Sequence, residues 1–158
     1  MDLINLEDTH DTERKVIHII EKKYSLTNIE ICTNDRYSPY DGLIKFKDTY
    51  ITIEVKDRRS SKHLYNLIMK DGVILDKNKI DNCLQKSKLL VFAVIYYNLF
   101  NNKLKETLYL IRITKETLKK LEPNIITTQK SSIDKSKEDN IVYFFDLNSA
   151  FCNISFQL

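Results

Sequence analysis

Asp41, followed after twelve residues by Glu54-Val55-Lys56, is the group in this chain whose residue types and spacing point to chemistry. Two carboxylates on neighbouring strands can converge on one side of a sheet and form an oxygen-lined site for a hard divalent cation such as Mg²⁺, for which Mn²⁺ would substitute. The main-chain carbonyl of Val55 can add a ligand. A lysine two residues after the glutamate falls on the same face of the strand, close enough to polarise an attacking water or to offset charge on a pentavalent phosphorane. Phosphodiester hydrolysis needs this combination: a metal as Lewis acid and water activator, and a fixed cation beside the developing anion. Glu13, on a helix ahead of these strands, can supply a further carboxylate, directly or through water.

These residues must be positioned by a small set of elements. Val16, Ile17, Ile20 and Tyr24 recur at helical spacing, with Asp8, Thr9 and Asp11 ahead of them as capping types. This pattern predicts an amphipathic helix over 11–24, with Glu13 near its start and on its inward stripe. Three β-type runs follow at 28–33, 41–46 and 50–56, the last two as a hairpin. Alternation in the third puts Ile51, Ile53 and Val55 on one face and Tyr50, Thr52, Glu54 and Lys56 on the other, off the core.

Beyond the basic turn at 57–63, a short helix is expected at 64–69, ended by Asp71-Gly72. A firmer helix covers 79–87, with Ile80, Cys83 and Leu84 as its buried stripe. The run 89–97 is apolar on both faces, as in a central strand covered from both sides. A strand at 107–113, a short helix at 115–121 and a last strand at 141–147 complete the pattern. The polar stretch 123–140 reads as a mobile loop or an irregular hairpin. The order predicts an α/β or α+β sandwich, a mixed sheet flanked by helices, in one domain spanning 1–158 with its core at about 10–113 and a C-terminal strand within 141–158.

Composition narrows the function. With 25 Lys+Arg against 22 Asp+Glu the net charge is only +3, so local clustering of basic residues matters more than the total. Two glycines in 158 residues cannot build a phosphate-cradling loop of the dinucleotide or P-loop kind, so no nucleotide cofactor is expected. Three cysteines without paired spacing indicate neither a disulfide framework nor a zinc site. No apolar run reaches membrane-span length and the start is acidic, so a cytoplasmic location without membrane contact is expected.

The helix with Glu13, then Pro39-Tyr40-Asp41-Gly42, then a strand ending Ile53-Glu54-Val55-Lys56, resembles the PD-(D/E)XK nuclease superfamily. It is most similar to the Holliday-junction-resolvase-like and restriction-endonuclease-like members, over residues 10–97. The resemblance implies a restriction-endonuclease-like αβββαβ core. It makes Asp41 and Glu54 metal ligands, Lys56 the catalytic lysine and Glu13 the helix acid. Gln85 or Lys88 would be the polar residue aimed at the site from the helix after the catalytic strand. Leu89 stands where a RecB-like exonuclease carries a tyrosine four residues after that glutamine.

The expected activity is therefore metal-dependent endonucleolytic hydrolysis of duplex or branched DNA by activated water, in a chain that acts as a dimer if it behaves like such nucleases. Lys45, Arg58, Arg59, Lys62 and His63 flank the site in sequence and are expected on the phosphate backbone. Two other readings stand beside this one: a nucleic-acid-binding module that keeps the fold without the chemistry, and a protein-interaction subunit.

Overall fold

The computed structural model describes residues 4–23, 29–31, 38–46, 48–58, 72–100, 103–129, 136–146 and 152–157. The helices are α1 (Ile4–Lys23), α2 (Lys77–Lys86) and α3 (Lys115–Leu118). The strands are β1 (Ile29–Ile31), β2 (Gly42–Phe46), β3 (Thr49–Asp57), β4 (Gly72–Asp76), β5 (Leu89–Phe100), β6 (Lys103–Ile113), β7 (Asn124–Gln129), β8 (Lys137–Asp146) and β9 (Cys152–Gln157). Nine strands and three helices make this a mixed α+β architecture among the described residues.

A six-stranded sheet has the order β1-β2-β3-β5-β6-β9, and a three-stranded sheet the order β4-β8-β7. β2 and β3 form the expected hairpin, with Gly42 opposite Ile53 and Phe46 opposite Thr49. β3 and β5 run parallel, Ile51 beside Leu89 and Asp57 beside Ile95. Parallel neighbours need a long crossover, and the chain between β3 and β5 carries β4 and α2 across one face of the sheet.

Each face has its own core. Val16, Ile17 and Ile20 of α1 pack with Ile44, Ile53, Val55, Ala93, Ile95, Leu108 and Leu110. On the opposite face Ile80, Cys83 and Leu84 of α2, with Val73, Leu75, Tyr143 and Phe145 of the small sheet, cover Leu90, Phe92, Val94, Tyr109, Ile111 and Ile113. Phe92 and Phe145 join the two sheets edge to face, their centroids 5.9 Å apart. β5 is thus buried on both sides, which explains its unbroken apolar run.

Gly42 packs close against α1. A Cβ there would lie 3.3 Å from Ile17 Cδ1 and 3.4 Å from Ile53 Cβ. Gly42→Val, which adds two methyl groups beyond that Cβ, is expected to destabilise the fold by about 1–3 kcal/mol through overpacking. Urea denaturation checks this, and an unchanged midpoint would mean α1 does not seat here.

Several expectations are corrected. α1 starts at Ile4 rather than near residue 11, so Asp8, Thr9 and Asp11 lie inside the helix and Glu13 near its middle. Capping residue types cost only tenths of a kcal/mol within a helix, so they do not by themselves select its start. The Glu54 face of β3 is not off the core: α2 and the small sheet cover it, and Glu54 is 2% exposed. Of the two readings of the polar stretch 123–140, the hairpin holds: β7 and the start of β8 pair antiparallel from Asn124 opposite Val142 to Gln129 opposite Lys137. The C-terminal 141–158 region divides between β8 in the small sheet and β9 in the large one. The short helix expected at 64–69 lies outside the described residues.

Candidate active site

The site is built where β2 begins and β3 ends. Continuing the hairpin register one step beyond Gly42–Ile53 sets Asp41 opposite Glu54. Gly42 turns toward α1, so alternation turns the Asp41 side chain to the other face, the one Glu54 occupies. The two residues are tied through the backbone as well. The Asp41 N–H donates to Ile53 O at 2.9 Å, and Asp41 Oδ2 accepts from the Val55 N–H at 2.8 Å. Asp41 therefore clasps β3 on both sides of Glu54. A strand residue's N–H and C=O point to the same side, so the Val55 carbonyl also points toward Asp41.

Glu54 is held by two ammonium groups. Lys56 Nζ lies 3.3 Å from Oε1, and Lys79 Nζ, from the first turn of α2, lies 3.3 Å from Oε2. The Lys79 contact has ion-pair distance but not hydrogen-bond direction: Oε2 is a buried oxygen without a hydrogen-bond partner. Burial, and next the Asp41 carboxylate, raise the Glu54 pKa from 4.5 to about 7, against the downward pull of Lys56 and Lys79.

Beside this pair, Cys83 packs one helical turn after Lys79 and points its Sγ at Pro39 O, 3.7 Å away. Burial and the neighbouring Glu54 push its thiol up to about 11, so it is no nucleophile near neutral pH. Thr52 and Ser87 complete the floor, their hydroxyl oxygens 2.9 Å apart. Ser87 Oγ also lies 3.0 Å from Cys83 O, which closes the end of α2.

The chemistry of the donors fits a hard divalent cation. Two carboxylates of like charge face each other, one of them buried with an oxygen no hydrogen bond satisfies, and a main-chain carbonyl points to the same place. Among the described residues no group of three or more His, Cys, Asp or Glu is placed to hold a metal. Mg²⁺ does not require one, because it keeps several waters and uses one or two carboxylates.

Of the residues expected at the site, Asp41, Glu54, Val55 and Lys56 are brought together. Glu13 is half-buried one turn ahead of Ile17, on the helix that packs against Ile53 and Val55. That is the sheet face opposite Glu54, so Glu13 does not share the face of the carboxylates. Gln85 and Lys88 are exposed at and beyond the end of α2. From the helical rise per residue, Gln85 is ~9 Å along the helix from Lys79. The helix residue at the site is Lys79. The legible signal for it was its i, i+4 spacing from buried Cys83, which puts both on one helix face.

Arg58 is half-buried beside the site, and its N–H donates to Ile95 O at 2.9 Å. Lys45 is exposed at the far end of β2, its Nζ 6.0 Å from the Tyr50 ring centroid. Lys86 approaches the same ring to 4.4 Å. Arg59, Lys62 and His63 lie outside the described residues. No described helix is long and apolar enough to cross a membrane.

Comparison with protein-family models, with curated proteins and with solved structures finds no match to this chain.

Proposed function

We propose that this chain is a metal-dependent endonuclease of the PD-(D/E)XK kind, which hydrolyses DNA phosphodiester bonds by activated water without a covalent intermediate. The observation that carries this reading is the convergence of Asp41 and Glu54 from paired strands, with Lys56 Nζ 3.3 Å from Glu54. The order α1, β1, β2, β3, α2, β5, with β4 added before α2, supports a restriction-endonuclease-like αβββαβ core.

Asp41, Glu54 and the Val55 carbonyl would hold Mg²⁺, and Glu13, on the helix covering the opposite sheet face, is not among these ligands. A bound Mg²⁺ supplies Lewis acidity at a phosphoryl oxygen and lowers the pKa of water. Asp41 holds the backbone around Glu54, so the carboxylates are set before substrate arrives. Lys56, one-third exposed beside Glu54, would polarise the attacking water or offset charge on the scissile phosphate. Lys45 and Arg58, with Arg59, Lys62 and His63, would engage the DNA backbone, and Gln85 and Lys88 would extend that contact along α2.

The test is cleavage of linear, branched and single-stranded DNA with Mg²⁺ or Mn²⁺. Removing a group that stabilises transition-state charge costs about 10²–10³ in rate, so Lys56→Ala is expected to lose that much with the fold intact by circular dichroism. Full activity in this variant would remove the assignment. A second reading, a nucleic-acid-binding module without chemistry, is favoured by the two lysines that already neutralise Glu54. It predicts salt-dependent DNA binding with no cleavage of any substrate in either metal.

A further inference from the structure

Lys56 and Lys79 meet the same carboxylate but are not held alike. Lys56 is on the strand that carries Glu54 and is hydrogen-bonded to it. Lys79 comes from a different element, and its oxygen, Oε2, is the one left without a hydrogen bond. Both side chains are about one-third exposed, 34% for Lys56 and 32% for Lys79, so either can swing into water on a flexible four-carbon stem.

The balance of charge governs the response to an arriving cation. With both carboxylates ionised, they and the two ammonium groups sum to zero, so a divalent cation beside them raises the local charge to +2 unless an ammonium leaves. The contact without hydrogen-bond direction is the weaker one, and it covers the oxygen most in need of a partner.

We propose that Lys79 is a positioning residue that serves as an internal counter-cation: it orients Glu54 through Oε2 in the metal-free protein, and a divalent cation displaces it from that oxygen on binding. This inference rests on the metal-nuclease reading.

Calorimetric titration of the purified protein with Mn²⁺ alone, without DNA, tests it. Lys79→Met keeps the length of the side chain and removes its charge, and is expected to tighten Mn²⁺ binding by about tenfold, since the cation no longer competes with an ammonium. Lys79→Arg keeps the charge and is expected to bind as the wild type does. Lys79→Gln serves as the neutral variant if Lys79→Met does not fold. Equal or weaker Mn²⁺ affinity in the neutral variant, with wild-type protein binding Mn²⁺, would overturn the role of Lys79 and leave the nuclease reading in place. No Mn²⁺ binding by the wild type, at a site sensitive to Asp41→Asn, would overturn both.

Discussion

Replacing Glu54 by Gln is expected to abolish metal-dependent cleavage and, in the same protein, to remove the loss of stability, roughly 3 kcal/mol, that the wild type undergoes between pH 4 and pH 8. The first effect comes from removing a charged ligand. The second comes from the burial of that charge. The Glu54 carboxyl rises from 4.5 to about 7 on folding, so between these values the native protein holds a proton that the unfolded chain releases. Stability from this group is complete below about pH 4.5, falls as pH rises, and is gone above about 7. Each tenfold change in proton affinity is worth about 1.4 kcal/mol, which sets the size.

Glutamine is neutral at every pH and escapes this loss. Lys56 and Lys79, left without their partner, are one-third exposed and can be hydrated. Urea denaturation of both proteins at pH 4, 6 and 8 measures the effect: the gap between them should widen with pH. A constant gap would show that Glu54 does not carry a folding-linked charge. The trade of stability for a charged group is common where a fold holds a reactive site.

Asp41 separates two roles that Glu54 combines. Asp41→Asn and Asp41→Ala are both expected to lose cleavage and Mn²⁺ binding, because each removes a carboxylate. Their stabilities should differ. Asparagine can still accept the Val55 N–H that Asp41 Oδ2 now accepts at 2.8 Å, whereas alanine leaves that donor without its partner beside a buried strand. An unsatisfied buried donor costs about 1–3 kcal/mol, so the alanine variant should unfold at lower urea by that amount and the asparagine variant should not. Both variants also remove the negative charge that helps raise the Glu54 pKa, so the fall in stability with pH should end lower than in wild type. Equal stability of the two variants would show that the clasp on Val55 contributes nothing.

Much of the local architecture was legible from residue pattern. Alternation in 50–56 set Glu54 and Lys56 on one face, and the Lys56–Glu54 contact is a consequence of that spacing. Ile80, Cys83 and Leu84 were readable as the buried stripe of α2, and all three are buried. The apolar run from Leu89 gave β5 its central place. The second sheet was legible only in part: 141–147 read as a strand and 123–140 as a loop or a hairpin, but β4 was missed. β4 is five residues long, and β7 reads Asn-Ile-Ile-Thr-Thr-Gln, which is too polar to announce itself. Both become strands because β8 lies between them and supplies their ladder partners. The β4–β8 pairing is non-local, and a strand's stability comes from its neighbours more than from its own composition.

The chain's own order of residues therefore determined which side chains share a face: Asp41 with Glu54 through the hairpin register, Glu54 with Lys56 through the two-residue period. These are short-range consequences of backbone geometry. The tertiary structure alone decided the environment of that face. Docking of α2 and the small sheet turned an expected open surface into a buried one, brought Lys79 against Glu54, and raised the carboxyl's pKa, because desolvation and charge depend on the groups packed nearby in space rather than on neighbours along the chain.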